Sequence, residues 1–342
     1  MSGRRDEGMA AVIDLSILDT APVWHGSTPA RALRESADLA AEAERLGYLR
    51  FWVAEHHSAP FIASCAPPVL AAHIAARTSR LRVGSGGVML PNHPPLVVAE
   101  QFGTLEALNP GRIDLGIGRS PGTDPATARA LRRVSAPPGS DAYREQVREL
   151  LALFGPRAPG EISAVPAEGS RPQIWLLGSS VDNARFAGEL GLPLAFAHHI
   201  RPENAEPALR AYRAAFRPSQ LCERPRTLLA ASVLVADDDD QAQWLAGPIA
   251  VIIHQSLKGR RDGPNLTPEQ AATYAWPAAE RAEVRERMAA HLIGDTETVR
   301  RRVAELVELT GADELMAVTV VHDYEDRVRS YELLAKAVAG LG

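Results

Sequence analysis

Lysine is nearly missing from this 342-residue chain. It occurs only at Lys258 and Lys336, so 35 of the 37 basic residues (37 minus 2) are arginine. That bias fits codon usage in a GC-rich genome and carries no function by itself. Cysteine is equally scarce: Cys65 and Cys222 stand alone, which excludes a disulfide framework and a cysteine-based zinc site. No apolar run reaches the ~18 residues a membrane span needs. Residues 1–8 form a short polar tail with no apolar core behind it, so no signal peptide is read there. No basic stripe stands out and the net charge is −5, which sets nucleic acid aside as a partner. A soluble, cytoplasmic protein is expected. At 46% hydrophobic residues it can bury a sizeable core, and its length suits one large barrel or two medium domains.

What is present is an alternation of strand-length apolar runs with helix-period segments. Strands are expected at 11–18, 49–53, 81–86, 112–117, 173–177, 192–197, 227–235 and 314–321. Helices are expected at 29–46, 67–78, 95–108, 124–133, 141–154, 182–190, 205–216, 296–309 and 324–338. Thr28 is a natural N-cap for the first helix, with Pro29 in its first turn and Gly47 as its stop. Gly311 ends the helix before the last strand. Alternation of this kind implies a parallel sheet. A doubly wound open sheet is the rival, but no Gly-x-Gly-x-x-Gly turn follows the first strand. Eight units in one domain favour a single α/β (β/α)8 TIM barrel spanning 9–342. Residues 237–294 read as a long irregular insertion after strand seven, placed to act as a lid. The acidic run Asp237–Asp240 that opens it reads as a solvated helix start, where carboxylates suit the positive end of the dipole.

The chemistry gathers at strand tips, where a barrel of this kind builds its active site. Glu55-His56-His57 follows the second strand. Adjacent residues on extended chain point to opposite sides, so one histidine faces the mouth. Histidine titrates near neutrality and suits proton transfer. No His-x-x-x-His spacing or clustered carboxylates accompany the pair, so no metal is expected. Ser85-Gly86-Gly87 puts glycines inside a strand, the mark of a bulge or of a ligand approaching the backbone. The rigid turn after it places Asn92 and His93 at the same mouth. Arg119 ends the fourth strand, and Gly178-Ser179-Ser180 opens a helix after the fifth. A guanidinium fork and a helix N-terminus lined by small residues reinforce each other as a phosphate clamp. His198 and His199 follow the sixth strand. His254, Gln255, Trp276 and His291 are further pocket-lining candidates in the insertion.

These pieces together resemble the bacterial luciferase-like flavin-dependent monooxygenases. The resemblance rests on 51–57 (FWVAEHH), 82–93 (RVGSGGVMLPNH), 99–102 (AEQF), 109–119 (NPGRIDLGIGR) and 178–180 (GSS). It covers nearly the whole chain after residue 8. Residues 15–19 and the tip Ala197-His198-His199 look closest to the branch with members in polyketide-antibiotic tailoring. The resemblance implies a TIM barrel that takes up reduced FMN from a separate NAD(P)H-dependent flavin reductase. With O2 the flavin forms a C4a-(hydro)peroxide that inserts one oxygen atom into a small organic substrate. Epoxidation, hydroxylation and Baeyer–Villiger oxidation of an aromatic polyketide all suit that chemistry.

Carried over residue by residue, the resemblance makes His56 the catalytic acid/base. Gly86-Gly87 becomes a cis peptide beneath the flavin ring, and Asn92 lies near the ring's pyrimidine side. Arg119, Gly178, Ser179 and Ser180 form the phosphate end. Glu55, His57, His199 and His254 are left as substrate contacts. Gly118 stands where some relatives carry cysteine, which is expected to make room beside the flavin. Relatives also pair through the second and third helices, here rich in alanine (Ala71, Ala72, Ala75, Ala76), which implies a homodimer. A deazaflavin F420-dependent hydride-transfer enzyme of the same superfamily is the alternative. A non-catalytic flavin carrier is disfavoured by the presence of His56, and nothing points to a fatty aldehyde or light emission.

Overall fold

The computed structural model describes residues 13–120, 122–132, 139–157, 160, 162–259, 262–277 and 280–339. The polar tail at 1–8, like Ala11 and Val12 of the expected first strand, lies outside the described residues. Nine strands are described: β1 Asp14–Asp19, β2 Arg50–Val53, β3 Arg82–Met89, β4 Ile113–Gly118, β5 Gln173–Gly178, β6 Leu194–Ala197, β7 Thr227–Val235, β8 Leu292–Gly294 and β9 Glu314–Val318. All pair in parallel. β1 joins β2 on one side and β9 on the other, and β6 closes onto β7, so eight strands form a complete barrel. β7 is long enough to do two things. Its Leu228–Ser232 stretch pairs with β9 in the barrel, while Val233–Val235 projects further and pairs with β8.

The helices are α1 Pro29–Arg45, α2 Pro67–Arg77, α3 Pro95–Leu108, α4 Pro125–Arg132, α5 Ser140–Leu153, α6 Val181–Glu189, α7 Ala205–Ala215, α8 Asp239–Leu257, α9 Pro268–Ala272, α10 Arg281–Met288, α11 Thr296–Thr310 and α12 Tyr324–Ala339. None is long and apolar enough to cross a membrane. Thr28 caps α1 by accepting from Arg31 N–H, and Gly311 ends α11 in the left-handed region at φ 59°.

Strand parity separates two cores. Outward residues such as Phe51, Val53, Ile113, Leu115, Ile174 and Leu315 pack under the helices. Inward residues Leu18, Trp52, Trp175, Leu228 and Met316 fill the barrel's middle. Its floor is polar. Arg50 has no exposed surface and bonds Asp114 and Glu314 at 2.6 Å each, with Trp175's ring 4.9 Å from its guanidinium. Arg82 also reaches Asp114, and Arg226 reaches Glu314. The charges are therefore buried as a paired set and seal the end opposite the active mouth.

The insertion differs from expectation. Residues 237–294 are mostly helical: α8, α9, α10 and the short β8 occupy much of them. Asp238 does cap α8, with Asp239 and Asp240 in its first turn. Asn265 donates its N–H to Val23 O and accepts from His25 N–H, both at 2.8 Å, and its amide donates to Phe61 O at 3.1 Å. Val23 and Phe61 lie in the loops after β1 and β2, so the insertion leaves at β7 and is fastened past β9 on the same side of the rim.

Candidate active site

β2 carries its inward column Arg50, Trp52 and Ala54 up to the mouth, and the loop that follows delivers Glu55, His56 and His57. Glu55 turns away from the opening and is fully buried. Its Oε1 meets His57 Nε2 at 3.0 Å, His93 Nε2 at 2.9 Å and the Asn92 amide at 3.2 Å, while Oε2 accepts from Met89 N–H at 3.1 Å. Burial alone would raise its pKa, but bonds from His93, His57 and Met89 together hold it below the usual carboxylate value. The expectation that Glu55 contacts substrate is therefore corrected: both its oxygens are committed inside the protein. Asn92 is likewise buried, with its amide on Glu55, so it braces the mouth from behind. Glu55, His57 and His93 are the one group among the described residues that brings three possible metal-ligand atoms within 4.8 Å. Sequence spacing gave no sign of it, because His93 comes from a different loop.

β3 bulges between Ser85 and Val88, and the Gly86-Gly87 bond is cis, as the resemblance implied. Both glycines are closely approached, Gly86 by a side-chain end and Gly87 by backbone. A Cβ on Gly86 would lie 2.6 Å from Leu18 Cδ1, and one on Gly87 2.7 Å from Gly116 O. Gly118 does not open space as expected. Met89 fills it, its Cε 2.7 Å and its sulfur 2.9 Å from where a Cβ would stand.

Arg119 follows β4, exposed and without a hydrogen-bond partner among the described residues. After β5, Gly178 and Ser179 lead into α6, whose N-cap Ser180 accepts from Asn183 N–H. Two residues of α5 that sequence reasoning missed stand beside this end. Arg144 bonds Asp182 in α6's first turn at 3.0 Å, and Tyr143 is buried with its hydroxyl unpartnered and within reach of Arg119's charge. Arg144 is thus spent on Asp182, and Arg119 remains the exposed cation at the tip of β4, the strand next to the one that leads into the α6 N-terminus.

His198 and His199 follow β6, and His291 precedes β8. Burial pushes His198 and His291 down to about 4. His199 is lowered by burial too, against its hydrogen bond to Ala230 O and with the help of nearby His56. His56 and His199 thus approach each other from β2 and β6, opposite strands of the barrel. His254 does not line this space. It bonds Tyr274 at 2.8 Å and pairs with Glu280, stacked beside Trp276. α8 presents Ile252 and Ile253 instead to a cavity between the loop after β6, α8 and α10, whose lining does not include His254.

The closed parallel barrel and its C-terminal mouth, with histidines on one side and an anion-binding end on the other, define a TIM-barrel enzyme. The chain belongs to the luciferase-like monooxygenase family, whose pattern matches residues 13–314. It is 46% identical to YvbT of Bacillus subtilis, over 94% of this chain and 95% of that one. It is 41% identical to a luciferase-like monooxygenase of Escherichia coli K12, over 94% and 96%. The crystal structure of apo-MsnO8 superposes with a TM-score of 0.87 at 40% identity, covering 95% of this chain and 98% of that one. The protein is accordingly an oxidoreductase of the monooxygenase class.

Proposed function

We propose that the protein takes up reduced FMN from a separate NAD(P)H-dependent reductase and, with O2, inserts one oxygen atom into a small organic molecule. Epoxidation, hydroxylation and Baeyer–Villiger oxidation all fall within that reading. The observation that carries it is the anion site: Arg119 at the tip of β4 beside the N-terminus of α6 at the tip of β5. The donor set suits a phosphate monoester, with guanidinium and backbone N–H groups, and Tyr143's orphaned hydroxyl supplies a further donor nearby.

When bound, reduced FMN supplies the electrons and the activated oxygen. This chain's residues do the rest. Arg119, Ser179, Ser180 and the backbone of Gly178 hold the phosphate end. The bulged Gly86-Gly87 stretch lets the backbone approach a flat ring. His56 holds or delivers a proton at the mouth, and the insertion, acting as a lid over 237–294, excludes water. Pairing of two copies through α2 and α3 completes the proposal. Val69 and Leu108 there are 71% and 73% exposed, whereas Ala71 and Ala75 are buried in the protomer's own outer layer.

The test is anaerobic binding of FMNH2 and of reduced F420, followed by admission of O2 in a stopped-flow spectrophotometer. Tight FMNH2 binding with an O2-dependent transient in flavin absorbance is expected. F420 binding without any O2-dependent transient would replace this reading with hydride transfer. Arg119→Ala is expected to weaken FMN by about tenfold or more while leaving phosphate-free riboflavin nearly unchanged. Equal weakening of both ligands would remove the phosphate assignment.

A further inference from the structure

A cavity of about 670 Å³ opens beside the mouth, between the loop after β6, α8 and α10. Ile200, Ile252, Ile253 and Leu257 supply its apolar wall, and His199 and His291 line it as well. Its charged residues are mostly spent on one another. Arg287 pairs with Glu283 at 3.6 Å and Arg201 with Glu203 at 3.5 Å. Glu286 adds a further negative charge, so the wall offers no uncommitted cation to a carboxylate-bearing ligand.

His199 gives this space its chemistry. Its Nδ1 lies 3.0 Å from Ala230 O. A carbonyl oxygen only accepts, so Nδ1 carries the hydrogen, and in the neutral ring Nε2 keeps a bare lone pair. Nothing among the described residues bonds to that Nε2. Burial and the neighbouring His56 both disfavour the imidazolium. The other groups that face it are His198 and His291, with Arg201 and Glu203 on the cavity wall. His199 is thus a fixed acceptor beside an apolar space, the complement of a ligand with an apolar body and one hydroxyl donor.

We propose that this cavity holds the organic substrate, that the substrate is a phenol or enol, and that His199 Nε2 accepts its hydroxyl. The proposal rests on the monooxygenase reading for the reaction, but not for the binding. In the resting complex Nε2 accepts a hydrogen bond. That hydrogen bond leaves the proton on the substrate oxygen but polarises the O–H bond, so the adjacent carbon becomes richer in electrons.

The experiment uses p-nitrophenol and nitrobenzene, which share a body and differ in the hydroxyl, with flavin-free protein at mildly acidic pH, where the phenol keeps its proton and the lowered pKa of His199 keeps its ring neutral. Calorimetry and the absorbance of the bound nitrophenol are the readouts. The wild type is expected to prefer p-nitrophenol by about tenfold, the worth of one good hydrogen bond, and to red-shift its absorbance. His199→Leu should erase both the preference and the shift. Ile253→Trp, which fills the cavity without altering His199, should weaken both compounds. Circular dichroism and an unchanged thermal melting midpoint show that each variant is folded. Equal affinities in the wild type, binding of neither compound, or a preference that survives His199→Leu would overturn the proposal. Because neither flavin nor O2 is present, this outcome is separate from the stopped-flow result.

Discussion

His93 Nε2 lies 2.9 Å from Glu55 Oε1, joining the loop after β3 to a carboxylate buried after β2. Since Glu55's folded pKa lies below its ordinary 4.5, its ionised form stabilises the native state above that pH. The contribution is lost as pH falls through the lowered value. His93→Ala removes the leading partner and leaves a buried charge less satisfied. It is expected to cost about 1–3 kcal/mol at pH 7 and to flatten the loss of stability below pH 4.5. Urea unfolding from pH 3 to 7 checks both; a wild-type-like acid limb would mean that His93 does not support Glu55.

On the barrel floor, Arg50→Met should destabilise by about 3–5 kcal/mol, because Asp114 and Glu314 stay buried after their shared cation is gone. Adding Asp114→Asn and Glu314→Gln to the same chain should recover part of the loss. A single-variant cost under about 1 kcal/mol in denaturant titration would show that Arg82 and Arg226 already satisfy the two carboxylates.

Two glycines of β4 should respond very differently to one added methyl. At Gly116 a Cβ would stand 2.2 Å from Ser85 O, a backbone atom that cannot step aside, so Gly116→Ala is expected to yield little folded protein. At Gly118 the obstacle is the flexible end of Met89, so Gly118→Ala should fold, at a cost of about 1–3 kcal/mol. Soluble yield and thermal melting separate the two cases.

Local chemistry was well written in the chain. Thr28 and Gly311 mark helix ends because capping needs only neighbouring residues, and β7 was legible in full because eight of its nine residues are buried and seven are apolar. The insertion was not, for physical reasons. α8 carries Gly247-Pro248 in its interior, which reads as a breaker, and β8 has only three residues. The site was half legible. Strand-tip polarity pointed to His56, Arg119 and Ser180. Apart from neighbouring His57, the partners of Glu55 arrive from 34 to 38 residues away, and Arg144 reaches Asp182 across 38. Pairings of that kind depend on which loops share a rim, and one-dimensional spacing does not carry it.

Asn265 gives the insertion a second support. A beam held only at β7 would swing as a whole and expose the mouth in one motion. A beam also pinned to Val23, His25 and Phe61 bends between its supports.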